Sequence, residues 1–312
     1  MEAHESRAAR ASLLFPLQAD MIVRVLEDAG DYRVLRRLTA FSDAELAGRT
    51  ASADTTIGCV VDVETTGLDH TRSAIIELAV QRFRFDAQGR ICQVGVPRSW
   101  REDPCHPLDE KITALTGLTD ADLAGQRIDD AMALQLFGSA EVIIAHNAAF
   151  DRPFLEARLP ALKGLPWACS CRGVDWAAAG FEGASLSQLL MQCGWFYEAH
   201  RAETDILALL RLLDHLLPTR RYVLDELIGK ARESTFRVNA VGAPFAVKDV
   251  LKDRGYRWDG GNRYWTREVA PDEVGYESEW LEVYAYGGLG RPLVHEVTWR
   301  ERYGALVSLG AG

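Results

Sequence analysis

The chain has 312 residues, with 35 Lys and Arg against 45 Asp and Glu, and its formal charge of −10 argues at first sight against a polyanionic partner. Its 48% hydrophobic, 26% charged and 9% aromatic residues can bury a sizeable core and exclude wholesale disorder, a collagen-like repeat and a coiled coil. Six cysteines without a Cys-x-x-Cys pair exclude a disulfide scaffold, and no signal-like N-terminus or long apolar run stands out, so a cytoplasmic protein with no membrane partner is expected.

The charge is unevenly spread. Residues 1–49 hold 7 basic and 8 acidic residues, residues 50–217 hold 14 and 23, and residues 218–312 hold 14 and 14. In the first segment Leu13, Leu14, Leu17, Met21, Val25 and Leu26, then Tyr32, Leu35 and Leu38, recur near helical spacing with a break at Gly30. They predict a two-helix extension over residues 1–52. Ile57–Val63 is a nearly continuous apolar run, the pattern of a strand covered on both faces, ended by Thr65-Thr66-Gly67. Ile75–Phe85 and Arg90–Val96 flank the hairpin signal Asp86-Ala87-Gln88-Gly89. Glu141–Ala145 reads as another buried strand, and Leu186–Met191 and Ile206–Leu217 read as helices. The alternation predicts an α/β fold, a layered sheet flanked by helices over residues 53–217.

Residues 218–312 read as a bridging helix, Tyr222–Arg232, followed by a small α+β module. Its expected elements are strands at Phe236–Val238, Tyr256–Trp258 and Arg263–Val269, a helix at Ala246–Arg254, and a last helix from Pro271 through Trp280. Residues 230–268 hold nine basic residues against five acidic ones. Lys248, Lys252, Arg257 and Arg263 lie among Trp258 and Trp265, a mixture that suits a single nucleic-acid strand, whose phosphates need cations and whose bases stack on rings. The competing reading makes the tryptophans the core of a small domain.

The chemistry concentrates in the middle segment. Asp62 and Glu64 are two apart on a strand, so both carboxylates point to one face, where a cation would offset their burial. Asp151 follows the strand ending at Ala145, and Asp205 opens an apolar helix preceded by His200. Taken singly, Asp151 and Asp205 fit helix-start residues and His200 fits a solvated loop. Together they stand at the ends of elements in an α/β sheet, where such folds assemble sites.

Asp62-Val63-Glu64-Thr65-Thr66-Gly67, His146-Asn147-Ala148-Ala149-Phe150-Asp151 and His200-Arg201-Ala202-Glu203-Thr204-Asp205 resemble the three exonuclease motifs of the DnaQ-like, DEDDh-type 3′-5′ exonucleases, as does Ile112–Thr119 between the first two. The resemblance spans residues 55–217 and implies a ribonuclease H-like mixed sheet. The tyrosine subclass of these enzymes wants Tyr four residues before Asp205. That position is Arg201, and Tyr197 is out of register, which favours the histidine subclass.

The resemblance further implies two Mg²⁺ or Mn²⁺ ions, about 3.5–4 Å apart in such sites. Asp62 would bridge them, with Glu64 and Asp205 completing the first and Asp151 holding the second through water. His200 would be the general base. Thr65, Thr66, Gly67 and Leu68 would seat the terminal nucleotide, Asn147 would meet a phosphate, and Phe150 would line the same subsite. The expected substrate is the 3′ end of single-stranded DNA. The same chemistry on RNA, or a polymerase-associated or repair-complex subunit that binds nucleic acid, are the alternatives.

Overall fold

The computed structural model describes residues 18–49 and 54–304. Its main sheet is mixed and runs in the order Ile91–Val94, Ile75–Phe85, Thr56–Thr65, Val142–Ala145, Trp167–Cys169, with Arg98–Arg101 also paired to Ile75–Phe85. The strands from Thr56 to Val94 are antiparallel neighbours, while Val142–Ala145 and Trp167–Cys169 join in parallel. Gly89 closes the expected hairpin at φ +76, and a Cβ there would lie 2.5 Å from the backbone nitrogen of Asp225. Both the positive φ and the close approach demand glycine.

Both faces of Thr56–Thr65 are covered, which explains its unbroken apolar run. Cys59, Val61 and Val63 pack in one core with Phe137, Phe154 and Leu155, from helices Asp130–Gly138 and Ala148–Arg158. Val60 packs in the other with helices Leu186–Gln192, Ala202–Leu213 and Val223–Arg232. Strand periodicity places Asp62 and Glu64 on that second face, where the apolar positions give way to carboxylates. Helix Val223–Arg232 buries Val223, Leu224, Leu227 and Ala231 in the same core as the sheet instead of bridging two bodies.

The N-terminal segment departs from expectation. Residues 18–28 are helical, but Tyr32–Leu38 forms no second helix. Arg36–Arg37 pairs in parallel with Trp195–Phe196, and the Arg36 and Leu38 amides donate to Gly194 and Phe196 carbonyls at 2.8 and 2.9 Å. Pairing with that edge outweighs the weak helical preference of the apolar spacing. A short helix follows at Asp43–Leu46, while Leu13, Leu14 and Leu17 lie outside the described residues. Two ion pairs belt this segment to the helix that carries Asp205: Arg211 to Glu45 at 2.7 Å and Arg49 to Asp214 at 2.7 Å.

The C-terminal module is an antiparallel sheet ordered Arg257–Asp259, Tyr264–Val269, Thr235–Ala240, Leu293–Val297. The last strand was not foreseen. Its core is Val238, Ala240, Leu251, Tyr256, Val269, Leu281 and Ala285. Beyond Val297 the chain returns to the main sheet. The Trp167 amide donates to the Trp299 carbonyl at 2.9 Å, and the buried Arg152 guanidinium donates to the Arg302 and Arg300 carbonyls at 2.7 and 2.5 Å while pairing with Glu156 at 2.7 Å. Trp299 lies with Thr56 and Glu141 around one cavity of about 310 Å³. That is the end of Thr56–Thr65 opposite Asp62, about 20 Å along the strand. Among the described residues no helix is long and apolar enough to cross a membrane.

Truncation after Val297 leaves Arg152 buried without those carbonyls. We expect it to cost about 1–3 kcal/mol of stability, the scale of hydrogen bonds to a charged group, read as a lower urea midpoint.

Candidate active site

The strand Thr56–Thr65 ends in a register shift between Glu64 and Thr65, an irregularity of the kind that re-aims side chains next to sites. Past it the turn is braced from within. Thr65 Oγ1 donates to the Gly67 carbonyl at 2.6 Å, and Thr66 Oγ1 accepts from the Ala74 amide at 3.0 Å. Gly67 has Ser73 Oγ 2.8 Å from where a Cβ would sit, so the turn tolerates no larger residue without movement. Leu68 projects from it, 88% exposed.

Asp205 lies in the first turn of Ala202–Leu213. Its Oδ2 accepts from the His200 and Arg201 amides at 2.9 and 3.1 Å, and its Oδ1 accepts from the Tyr197 hydroxyl at 2.9 Å. The carboxylate thus satisfies amides that precede a helix with no capping side chain at Arg201. It also meets Asp62 and Glu64, the three offering ligand oxygens within 4.8 Å of one another. The His200 side chain is exposed, on a backbone held at φ +69.

Asp151 stands one layer back. It is buried in the first turn of Ala148–Arg158, where its Oδ1 accepts from the Val63 amide at 3.2 Å. Asn147 precedes that helix with no capping bond, its side chain exposed, and Phe150 stacks on Phe154 with centroids 5.0 Å apart. His146 is pinned, its Nδ1 at 2.9 Å from Ser170 Oγ and its Nε2 at 2.8 Å from the Ala184 carbonyl. Burial depresses its pKa, which keeps it neutral.

Burial pushes every carboxyl of the group upward. Glu64 rises to about 8, with further repulsion from Asp205, Glu77 and Asp151, and Asp151 rises to about 7 despite the Val63 amide. Asp62 is raised well above its ordinary value by burial and then by Asp151, Asp205 and Glu64. Asp205 is raised by burial, against which its hydrogen bonds from Tyr197, Arg201 and His200 work. Hard oxygens whose charges repel one another in a buried setting suit divalent cations.

Glu77, and the roles of Arg201 and Tyr197, are not read from the sequence. Glu77 is buried directly across the ladder from Glu64, and Arg201 forks onto it. Tyr197, out of register for the tyrosine subclass, nevertheless donates to Asp205. A charged residue inside the apolar run Ile75–Phe85 was the available signal for Glu77.

In the C-terminal module Lys248 Nζ lies 4.2 Å above the Phe245 ring and Lys252 Nζ 5.9 Å above that of Trp265. Trp265 meets Trp258 across the strands at 5.6 Å. Trp265 packs against the module's core and Trp258 is 53% exposed, so the two tryptophans divide between the competing readings. Arg257 and Arg263 are exposed, whereas Arg254 and Arg267 are taken by the buried Glu277.

Residues 59–213 match the exonuclease family model RNase T. The PolC-type DNA polymerase III of Thermotoga maritima is 33% identical over 132 residues, 40% of this chain and 9% of that protein. Its counterpart in Streptococcus pyogenes serotype M5 is 36% identical over 102 residues, 31% of this chain and 6% of that protein. The chain therefore spans less than a tenth of these relatives. Among solved structures, E. coli exonuclease I in complex with a dA16 oligonucleotide aligns at 13% identity and TM-score 0.45, covering 79% of this chain and 64% of that one. Exonuclease X in complex with 5′ overhanging duplex DNA aligns at 23% identity and TM-score 0.37, covering 49% and 88%. The motifs and the family match together identify residues 59–213 as a domain of the RNase T/DnaQ-like exonuclease family.

Proposed function

We propose that the chain is a metal-dependent 3′-5′ exonuclease that releases 5′-mononucleotides from single-stranded DNA. The observation that carries this reading is the convergence of Asp62, Glu64 and Asp205, drawn from a strand end and a helix start, into one all-oxygen donor set. Asp62, Glu64 and Asp205 would hold one Mg²⁺ or Mn²⁺ ion, and Asp62 with Asp151 the other. Bound there, such ions acidify water and neutralise charge on the scissile phosphate.

The protein's own groups do the rest. The exposed His200 takes the proton from the attacking water. Thr65, Thr66 and Gly67 receive the terminal sugar, Leu68 and Phe150 offer apolar surface to its base, and the uncapped Asn147 amide meets a phosphate. We take residues 54–232 as the catalytic unit and 233–304 as an appended module. Its exposed Trp258, with Lys248, Lys252, Arg257, Arg263 and the Trp265 edge, grips the single strand further from the 3′ end. The module's Trp299 meets the sheet at the Thr56 end of the strand, opposite Asp62, so only longer strands would reach it.

Three outcomes test this. Asp62→Asn and Asp205→Asn abolish mononucleotide release from a labelled single strand, as does EDTA, while His200→Ala lowers kcat about 10²–10⁴-fold with Mn²⁺ binding retained; matched RNA serves as the discriminating arm. Turnover that survives EDTA or either carboxylate variant defeats the proposal.

The raised carboxyls set the pH dependence of the metal-free protein. Between the ordinary carboxylate range and the values near 7 and 8 of Asp151 and Glu64, the folded state binds more protons than the unfolded chain, so stability falls as pH rises through that window. Melting in EDTA therefore gives a Tm that declines from about pH 5 to pH 8, and saturating Mg²⁺ flattens the decline, because binding displaces those protons.

The third outcome concerns the module. Trp258→Ala raises KM for long single strands by about tenfold, the scale of one lost base stack, and leaves a trinucleotide's KM unchanged. Equal effects on both lengths would remove the module from substrate binding.

A further inference from the structure

Glu77 occupies a position that stability does not explain. It is 1% exposed and directly opposite Glu64 on the neighbouring strand, a pairing of like charges that destabilises a sheet. A buried ion pair is often matched or bettered by apolar residues of the same volume. What the carboxylate does is hold the approach to the helix Ala202–Leu213. Glu77 Oε1 accepts from Arg201 Nη2 at 3.0 Å, and its Oε2 accepts from Arg201 Nε at 3.3 Å and from the Ala202 amide at 3.1 Å. Arg101 stands 3.9 Å away on the far side. Three successive amides, those of His200, Arg201 and Ala202, are thereby satisfied by two carboxylates, Asp205 and Glu77. Between these anchors His200 keeps a left-handed backbone at φ +69, which a non-glycine residue holds only when its surroundings impose it.

We propose that Glu77 is a positioning residue: through Arg201 and the Ala202 amide it fixes the loop that presents His200 to the phosphate. The role rests on the exonuclease reading above. Glu77 belongs to the rigid sheet that also carries Asp62 and Glu64, so the general base and the carboxylates share one frame. A loop freed from that frame displaces the imidazole, and displacement on the scale of 1 Å costs about 10²-fold in rate.

Glu77→Gln, which keeps the side chain's shape, and Arg201→Met each break the pair. Amide hydrogen exchange over residues 199–203, Mn²⁺ affinity by calorimetry, Tm, and kcat and KM on a single-stranded DNA oligonucleotide are measured for both and for the double variant. We expect faster exchange in that segment and kcat lowered about 10²-fold, with KM unchanged and Mn²⁺ affinity altered far less than kcat. The double variant should be no worse than Glu77→Gln, in which the Arg201 ion pair is already lost. Unchanged exchange overturns the proposal, as does wild-type kcat in Glu77→Gln. A joint collapse of Tm, Mn²⁺ affinity and kcat also overturns it, as the mark of a merely structural pair. Wild-type protein without turnover defeats the exonuclease reading itself, whereas an active wild type with a fully active Glu77→Gln defeats this role alone.

Discussion

Asp62, Glu64, Asp151 and Asp205 crowd the end of one buried strand, and Glu77 adds a fifth carboxylate from the next. Burial, which disfavours the charged form, is the main reason Glu64 and Asp151 are driven toward neutrality, and repulsion from neighbouring carboxylates adds to it. The surrounding structure answers with donors. The Val63 amide takes Asp151, the His200 and Arg201 amides and the Tyr197 hydroxyl take Asp205, and Arg201 with the Ala202 amide takes Glu77. Asp62 and Glu64 are the pair left facing the opening with the least such support. A cation held there would offset both the burial of these carboxylates and their mutual repulsion.

The helix Ala202–Leu213 is the element on which this arrangement turns. Its buried face, Ile206, Leu209, Leu210 and Leu213, locks it onto the sheet, and its first turn supplies Asp205. Its other end is tied by Arg211 to Glu45 and through Asp214 to Arg49, so the N-terminal segment braces the site from behind. The C-terminal segment braces the second helix. Arg152, next to Asp151, fastens Ala148–Arg158 to the returning chain through the Arg300 and Arg302 carbonyls. Segments outside the family match therefore stiffen the two helices that carry Asp151 and Asp205.

The elements legible in the sequence are those whose physics is local. The covered strand at Thr56–Thr65, the hairpin at Gly89 and the helix at Leu186–Gln192 each announce themselves by period or turn chemistry, and the motif carboxylates converge as their positions at element ends imply. What was not legible depends on distant partners. Tyr32–Leu38 has helical spacing but is drawn into extended pairing by Trp195–Phe196, more than 150 residues away. Leu293–Val297 is short, largely exposed and preceded by a glycine-rich turn and Pro292, so only its pairing with Thr235–Ala240 makes it a strand. Glu77 reads as the one acidic residue in an apolar run, and its partner is Arg201, 124 residues on.

The same distinction resolves the charge. A total of −10 describes the chain but not any surface a phosphate meets. In the module, Arg254 and Arg267 are consumed by Glu277 and Arg237 lies beside Glu268. Among the described residues 233–297 this leaves Lys248, Arg257 and Arg263 without a carboxylate partner. Of these few cations Arg257 and Arg263 are solvent-exposed, so their reach is short and their attraction weakens with salt. At the other pole the carboxylates would repel a phosphate, and divalent ions held there would reverse the local sign. On the proposed function, affinity for a strand's 3′ end would be set by metal occupancy and affinity for its body by the module, two terms of different origin that the net charge cannot separate.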